Sequence, residues 1–190
     1  KTALYLFNHR VQIAPDSFWQ LGAYYRRNID DYEYSREVPG QFNPYQHTTQ
    51  VSSIALVGRS DFVHFAVGHN AQVMRETPKS TPLPYGRFNT RSYRKLSVVP
   101  EREFTSASGK VKVQAGATYD DTNRDKSALS PIVAVELVRP AGERFYFEYS
   151  ESTQWPTYTA VNLNPPAGLF PGEPTLGRET SRNATLGADL

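Results

Sequence analysis

The sequence predicts an all-β protein: an antiparallel β-sandwich of the jelly-roll kind, with one short helix and an extended C-terminal arm. The first observation behind this prediction is composition, because the chain holds 12 Tyr, 10 Phe and 14 Pro but a single Met. Such a composition favours strands and ordered loops over helices. The second is that strand-like segments alternate with turn residues and only one helix is credible, which argues against a parallel α/β fold.

The clearest element is a hairpin that joins Ile132–Val138 to Arg144–Ser150 across Pro140 and Gly142. Pro and Gly are the residues that a tight reversal needs. Because side chains alternate across a strand, one face of the pair is apolar and carries Val133, Val135, Leu137, Phe145, Phe147 and Tyr149. The other face is mostly polar and carries Glu136, Arg144, Tyr146 and Glu148. We therefore predict an antiparallel pair with one dry and one wet face.

The N-terminal part of the chain contains a first strand candidate, Thr2–Phe7, and the one helix candidate, Ser17–Arg27. The helix is predicted because Phe18, Leu21 and Tyr25 recur at a spacing that places them on one helical face.

A second hairpin is predicted from Gln50–Val57 and Asp61–Val67, which flank the turn Gly58-Arg59-Ser60. Shorter strand candidates follow along the chain at Ala71–Arg75, Ser92–Val99, Lys110–Ala115 and Thr157–Val161. Long loops are predicted where polar residues or prolines accumulate, at Asn28–Tyr45, Thr77–Gly86 and Thr118–Ser130.

The organisation predicted from these elements is a β-sandwich domain over residues 1–162 and an extended or disordered arm over residues 163–190. The arm shows no strand or helix periodicity, but its apolar residues are spaced like separate anchors: Leu163, Leu169, Phe170, Leu176 and Leu186. We expect it either to be disordered or to lie over a surface, its own or that of a neighbouring subunit. A further alternative is an N-glycosylated stalk, because Asn183-Ala184-Thr185 is a sequon. An arm on a neighbouring subunit predicts a homo- or hetero-oligomer formed through the arm.

Composition limits the function classes. Cysteine is absent, which excludes disulfides and thiolate metal sites. With 21 basic and 19 acidic residues, the net charge of +2 is not typical of a chain that binds polyanions over its whole surface. No apolar run approaches the ~20 residues of a membrane-spanning helix, so we expect no membrane span. The chain begins at Lys1 rather than Met, so we expect a processed product, with a virion or an extracellular surface favoured as its location.

No catalytic residue is predicted, because the chain contains no nucleophile elbow, phosphate-binding loop, dinucleotide fingerprint or HExxH motif. The most site-like stretch is Asp121-x-Asn123-x-Asp125, since oxygen ligands at alternate positions of a turn suit Ca²⁺. However, Lys126 occupies the position where such loops need Gly, and Ile132 occupies that of the bidentate Glu. The alternative interpretation is a solvated polar loop with Asx turns, and no other cofactor is predicted.

Two further groups are candidates for binding. A basic stretch with interleaved aromatic residues could contact nucleic acid or an acidic partner, and consists of Arg87, Arg91, Arg94 and Lys95. Its alternative is a solvated charged face. Aromatic side chains in loops or on the wet hairpin face could stack on sugar rings, and the candidates are Trp155, Tyr158 and Tyr146.

The leading functional hypothesis is a non-enzymatic structural or assembly protein, a coat, decoration or surface-layer subunit of a larger particle such as a virion. It depends on the β-rich core, the absence of catalytic motifs and the anchor-spaced arm. The alternative is a secreted carbohydrate-binding module that uses the aromatic residues and, at Asp121–Asp125, Ca²⁺. A third hypothesis is an enzyme whose site is assembled from dispersed residues.

Overall fold

The structure is a computed structural model that describes residues 1–32, 37–38, 45–81, 90–157, 173 and 175–190. The described chain is all-β, as predicted, and its strands form one nine-stranded sheet in sequence order. The strands are β1 (Thr2–Ala14), β2 (Ser17–Tyr32), β3 (Tyr45–Asp61), β4 (Ala66–Thr81), β5 (Arg91–Ser106), β6 (Gly109–Thr122), β7 (Asp125–Val138), β8 (Arg144–Gln154) and β9 (Glu179–Asp189). Each strand pairs antiparallel with the next. The two packed sheets of a sandwich are not observed among these strands.

The predicted hairpin is confirmed as β7 and β8, with Val135 opposite Phe147 and Leu137 opposite Phe145. The turn between them closes with a hydrogen bond from the Gly142 amide to the Arg139 carbonyl (3.0 Å). Gly142 has φ 98°, a left-handed conformation that a residue with a Cβ avoids. The turn chemistry therefore fixes the register that the alternating pattern predicts.

The helix predicted at Ser17–Arg27 is wrong, because these residues lie in β2. The apolar residues there also alternate as Trp19, Leu21, Ala23 and Tyr25, and that period of two is the one the chain adopts. Pairing on both sides, with β1 and with β3, supplies the backbone hydrogen bonds that a helix would otherwise satisfy internally. Within the described residues, the chain has no helix that could span a membrane.

The strands are longer than the sequence pattern predicts, so three predicted loops are partly strand. β2 continues to Tyr32, and β4 continues to Thr81 with Pro78 opposite Thr49. The predicted loop Thr118–Ser130 is instead the end of β6 and the start of β7, joined by a tight turn at residues 123–124. These segments are rich in polar residues because the strands continue beyond the apolar part of the sheet.

Part of the predicted C-terminal arm is a strand. Residues Glu179–Asp189 form β9 and pair with β8 over its whole length, with Leu186 opposite Phe147. This segment was not predicted as a strand because Gly, Asn and charged residues obscure its alternation. Of the predicted anchors, Leu163, Leu169 and Phe170 lie outside the described residues, as does most of the strand predicted at Thr157–Val161.

The register divides the side chains of the sheet into two faces. We call the first the apolar face; its residues are Tyr5, Phe7, Val11, Ile13, Trp19, Leu21, Tyr25, Ile54, Leu56, Val67, Val73, Leu96, Val98, Val111, Val113, Tyr119, Leu129, Val133, Val135, Leu137, Phe145, Phe147, Tyr149 and Leu186. We call the opposite one the polar face, because most charged and amide side chains of the strands project from it.

The burial of the two faces is the reverse of that in a water-soluble sheet. The apolar face is open: Val135 is 38% exposed, Phe147 42% and Ile54 61%. The polar face contains the buried side chains of the inner strands, among them Ser53, Arg91, Glu101, Asp120 and Ser130. The predicted dry face is therefore the apolar one in composition, but no described residue of this chain covers it.

The two ends of the strands also differ. At one end, which we call the turn edge, strands are joined by residues 15–16, 62–65, 107–108 and 139–143. At the other, the loop edge, the connections are residues 33–44, 82–90, 123–124 and 155–178. Three of the four loop-edge connections are thus longer than any at the turn edge.

Gly116 offers a test of the sheet geometry. A Cβ at this position would collide with the carbonyl of Val98 in β5, and would lie 2.7 Å from the Cα of Val99. We expect Gly116→Ala to lower the free energy of unfolding by about 1–3 kcal/mol, since backbone must move. The matched control is Gly22→Ala in β2, where nothing lies within 4 Å of the added Cβ. Equal denaturation midpoints for the two variants would contradict the close approach of β5 and β6.

Candidate functional site

A four-residue charged cluster occupies the polar face near the middle of the sheet. Glu101 of β5 accepts hydrogen bonds from Arg59 (2.7 Å) and Lys112 (3.1 Å), and from the side-chain amide of Gln114 (2.5 Å). The three donors come from β3 and β6, so the carboxylate gathers side chains from both sides of β5. Only 9% of the Glu101 side chain is exposed. We call this group the Glu101 cluster.

The pKa of Glu101 reports the balance of forces in this cluster. Burial raises the pKa, but the hydrogen bonds from Arg59, Gln114 and Lys112 outweigh it and lower the pKa to about 2. The carboxylate is therefore ionised throughout the physiological range. A charge held in this way between fixed donors has no proton to exchange near neutral pH, which suits a structural or electrostatic role better than acid–base catalysis.

A second ionic group lies on the polar face near the loop edge. Arg91 donates two hydrogen bonds to Glu76 (2.7 and 3.0 Å) and one to the Pro156 carbonyl (2.6 Å), which ties the chain after β8 to β4 and β5. Burial raises the pKa of the neighbouring Tyr93 to about 12, against the lowering effect of Arg91. In the same group, Lys95 Nζ lies 3.5 Å from Asp120 Oδ1.

The basic stretch predicted to bind nucleic acid or an acidic partner is divided between the two faces of the sheet. Arg91 and Lys95 lie on the polar face with acidic partners inside the chain, whereas Arg94 lies on the apolar face. Arg87 lies outside the described residues. The described members therefore do not form one basic surface, and contact with a polyanion stays a prediction.

The predicted calcium ligands lie at the tight turn between β6 and β7. The Asn123 side-chain oxygen accepts from the Ser92 amide (2.9 Å), and Asp125 accepts from the Lys126 amide (2.7 Å) and lies 3.7 Å from Arg178. Asp121 lies on the apolar face, opposite Arg94. Among the described residues there is no group of three or more His, Asp or Glu side chains that could hold a metal ion. Calcium binding stays a prediction, without convergence of these three side chains to support it.

The predicted sugar-binding aromatics do not form one platform within the described residues. Tyr146 lies on the polar face with its ring over Gly187 of β9, where it occupies the space that a side chain at that position would fill. Trp155 lies beyond the end of β8, with the Arg178 guanidinium 5.8 Å from its ring centroid. Tyr158 is outside the described residues. Carbohydrate binding therefore also stays a prediction.

The apolar face carries aromatic contacts that become visible only in the paired sheet. Trp19 donates a hydrogen bond to Ser60 (3.2 Å) near the turn edge, and its ring meets His69 edge-on at 5.5 Å. Towards the loop edge, Tyr5 and Tyr25 lie side by side, with ring centroids 6.2 Å apart. Beside them is an open groove of about 440 Å³ that reaches Ile54, Val73 and Arg75.

The Glu101 cluster was missed, since its members lie far apart in the sequence. The signal available was parity: Lys95, Glu101 and Glu103 are all odd-numbered residues of one strand, with apolar residues between them at Leu96 and Val98. This alternation shows that the charges share a face, but the facing residues of β3 and β6 are known only once the register is known.

Comparison with known proteins gives no match to a protein-family model, and neither a characterised protein nor a solved structure shows significant similarity to the chain. Functional inference therefore depends on the geometry of the sheet.

Proposed function

We propose that the protein is a non-enzymatic structural protein whose sheet lies against lipid hydrocarbon through its apolar face. In this arrangement the polar face looks into a water-containing interior. The observation that carries the proposal is the reversed burial: large apolar side chains are exposed on one face, while ionic groups such as Arg91–Glu76 and the Glu101 cluster are held on the other. Apolar-out and polar-in alternation is what a sheet in a bilayer needs.

The size of the exposed apolar surface supports lipid rather than a small partner. It extends across all nine strands, whereas the largest apolar patch on a typical soluble monomer covers about 300–600 Å². Along β7 it runs from Leu129 to Leu137, about 26 Å at the usual rise per residue. The polar face would then keep its charges out of contact with hydrocarbon.

The apolar surface is also staggered in the way that a flat apolar layer requires. Leu21 lies near the middle of the apolar stretch of β2. The row of paired positions that contains Leu21 reaches Leu129 in β7, and Leu129 lies at the loop-edge end of the apolar stretch of that strand. The stretch therefore shifts by roughly one residue per strand. A rise of ~3.3 Å over a strand spacing of ~4.8 Å corresponds to strands tilted by about 35°. At this tilt the apolar stretch of β7 measures about 22 Å across the layer, close to the ~25 Å apolar band expected in a bilayer.

The borders of the apolar face carry the residue types found at membrane interfaces. Towards the loop edge these are Tyr5, Tyr25 and Tyr119. Arg75 lies in the same row of paired positions as Tyr25, Arg27 lies one row beyond Tyr25, and Arg94 lies one row beyond Tyr119. Towards the turn edge the border residues are Trp19 and Phe104, with Arg102 stacked on Phe104 at 4.8 Å. Aromatic rings and long cationic side chains favour the boundary between hydrocarbon and water.

The expectation of no membrane span came from the run of apolar residues that a helix needs. That criterion does not address strands, in which only every second residue faces the lipid. A second protein layer, as in the predicted sandwich, would also cover the apolar face. In that case the protein would be the coat or surface-layer subunit of our sequence hypothesis, and the experiment below separates the two cases.

The chain's two tryptophans, Trp19 and Trp155, provide the test. The full chain is reconstituted into phosphatidylcholine vesicles with brominated acyl chains, as Trp155→Phe, which leaves Trp19, and as Trp19→Phe, which leaves Trp155. We expect bromine to quench most of the Trp19 emission and little of that of Trp155. Bromine near the glycerol should quench Trp19 more than bromine near the chain ends, since Trp19 lies near a border of the apolar face. Equally weak quenching of both variants, with a folded monodisperse chain in detergent-free buffer, would contradict lipid contact.

A further inference from the structure

The groove beside Tyr5 and Tyr25 arises from the order of side chains on the apolar face. Across β1 to β4 one row of paired positions is Tyr5, Tyr25, Ser52 and Arg75, and the next row is Phe7, Ala23, Ile54 and Val73. The small side chains of Ser52 and Ala23 lie between larger ones, so the surface dips there. The volume of the groove, about 440 Å³, is within the range of small-molecule sites.

Arg75 lies at the rim of this groove, and none of the described residues beside it on the apolar face is acidic. Its paired positions are Ser52 in β3 and Ser92 in β5, and its neighbours along β4 on the same face are Val73 and Thr77. No ion pair or side-chain hydrogen bond joins it to a described residue. A cation in this position, at the border of an apolar surface, lacks the counter-ion that the charges of the polar face have.

A second cation is close by. Arg94 of β5 is paired with Val73, so it lies diagonally across from Arg75 on the same face. Its other paired position is Asp121 of β6, which partly compensates its charge. Arg75 is therefore the stronger anion-binding group of the two, and Arg94 adds positive potential beside it.

We propose that the groove binds one molecule of an anionic phospholipid, with an acyl chain in the dip over Ala23 and Ser52 and the phosphate on Arg75. This inference rests on the proposed lipid contact and gives it a headgroup preference. An apolar groove that ends at an unpaired guanidinium matches a ligand with an acyl chain and an anionic head, because guanidinium forms paired hydrogen bonds with phosphate oxygens. A zwitterionic lipid supplies the same chain but carries a compensating cation.

The test uses the full chain in phosphatidylcholine vesicles with a minor fraction of one brominated lipid, either phosphatidylglycerol or phosphatidylcholine. The reporter is the tryptophan introduced by Tyr25→Trp at the groove, in a chain that also carries Trp19→Phe and Trp155→Phe. We expect brominated phosphatidylglycerol to associate about fivefold more strongly with the groove than brominated phosphatidylcholine, the preference expected for one cation at a membrane surface.

Three arginine variants test which residue causes the preference for the anionic lipid. Arg75→Gln should reduce the fivefold ratio to about one, and Arg75→Lys should retain most of it. Arg102→Gln, which removes an arginine at the opposite border of the same face, should leave the ratio unchanged. Equal association of both lipids, or a ratio that survives Arg75→Gln in a chain with unchanged circular dichroism, would overturn the groove proposal while leaving lipid contact intact. Absence of quenching by either lipid would overturn the lipid contact itself.

Discussion

Val133→Arg should lower the free energy of unfolding in phospholipid vesicles by about 2–4 kcal/mol. Val133 lies in the middle of the apolar stretch of β7, so an arginine there would place its charge at the centre of the hydrocarbon layer. The cost can be measured from denaturant titrations of the reconstituted chain, followed by tryptophan fluorescence. On a face turned to water, the same substitution would change stability little, since surface substitutions are usually within about 0.5 kcal/mol.

Leu129→Arg is the control for depth, because it makes the same chemical change on the same strand and face. Leu129 lies at the loop-edge end of the stretch and is 69% exposed. Near the interface an arginine reaches water with its head group, so we expect a cost of about 0–1 kcal/mol. Similar small costs at both positions would indicate water on this face, whereas similar large costs would indicate a close-packed protein layer.

Glu101→Ala should lower the free energy of unfolding by about 3 kcal/mol, because it leaves Arg59 and Lys112 without their shared carboxylate. We expect a loss of stability at the lower end of that typical of broken buried ion pairs, because the side chains of Arg59 and Lys112 are each 35% exposed and regain some hydration. Glu103→Ala is the matched control: Glu103 lies on the same strand and face, but its side chain is 50% exposed and, among the described residues, forms an ion pair with Lys110 alone. Its cost should stay within about 1 kcal/mol. Equal costs for the two variants would contradict the central role of the Glu101 cluster.

The Glu101 cluster also predicts how the free energy of unfolding depends on pH. The pKa of Glu101 is lowered from 4.5 to about 2 in the folded chain, so the unfolded chain binds its proton first as the pH falls. The stability that the carboxylate contributes is complete above the unfolded value and is lost as the pH falls from about 4.5 through about 2. Glu101→Gln should therefore flatten the stability profile in this window relative to the parent chain. An unchanged slope would assign the acid sensitivity to other carboxylates.

Strand formation was predictable where turn chemistry and alternation agree. At β7 and β8 the Pro and Gly of the turn and the alternating apolar residues indicate the same hairpin, and the register follows. At β2 the residues Phe18, Leu21 and Tyr25 fit a helical period by chance, and only the neighbouring strands decide between the two structures. At β9 polar residues and Gly187 hide the alternation, so pairing with β8 is the information that the sequence lacks.

The arrangement of the sheet was harder to predict than its strands. Alternation shows that Val133, Val135 and Leu137 share a face, but not what medium that face meets, because a sandwich core and a lipid layer select the same residues. The distinction appears only with the register, which shows that no second layer of described residues covers the face and that ion pairs lie on the other. Strand parity also places Arg94 on the face opposite to Arg91 and Lys95, although the three residues lie close together in the sequence.

Strand parity has a consequence for how the edges of the sheet are completed. β1 and β9 are both odd-numbered in an antiparallel order, so they run in the same direction. An unpaired backbone edge in hydrocarbon costs several kcal/mol for each unsatisfied group, so each edge needs a partner strand. The antiparallel pairing used throughout this sheet would require a partner that runs with the even-numbered set. Neither β9 nor a second copy of the chain with its loop edge on the same side of the layer offers such a strand at β1. Either of them could pair with β1 only in parallel, through evenly spaced and slanted hydrogen bonds.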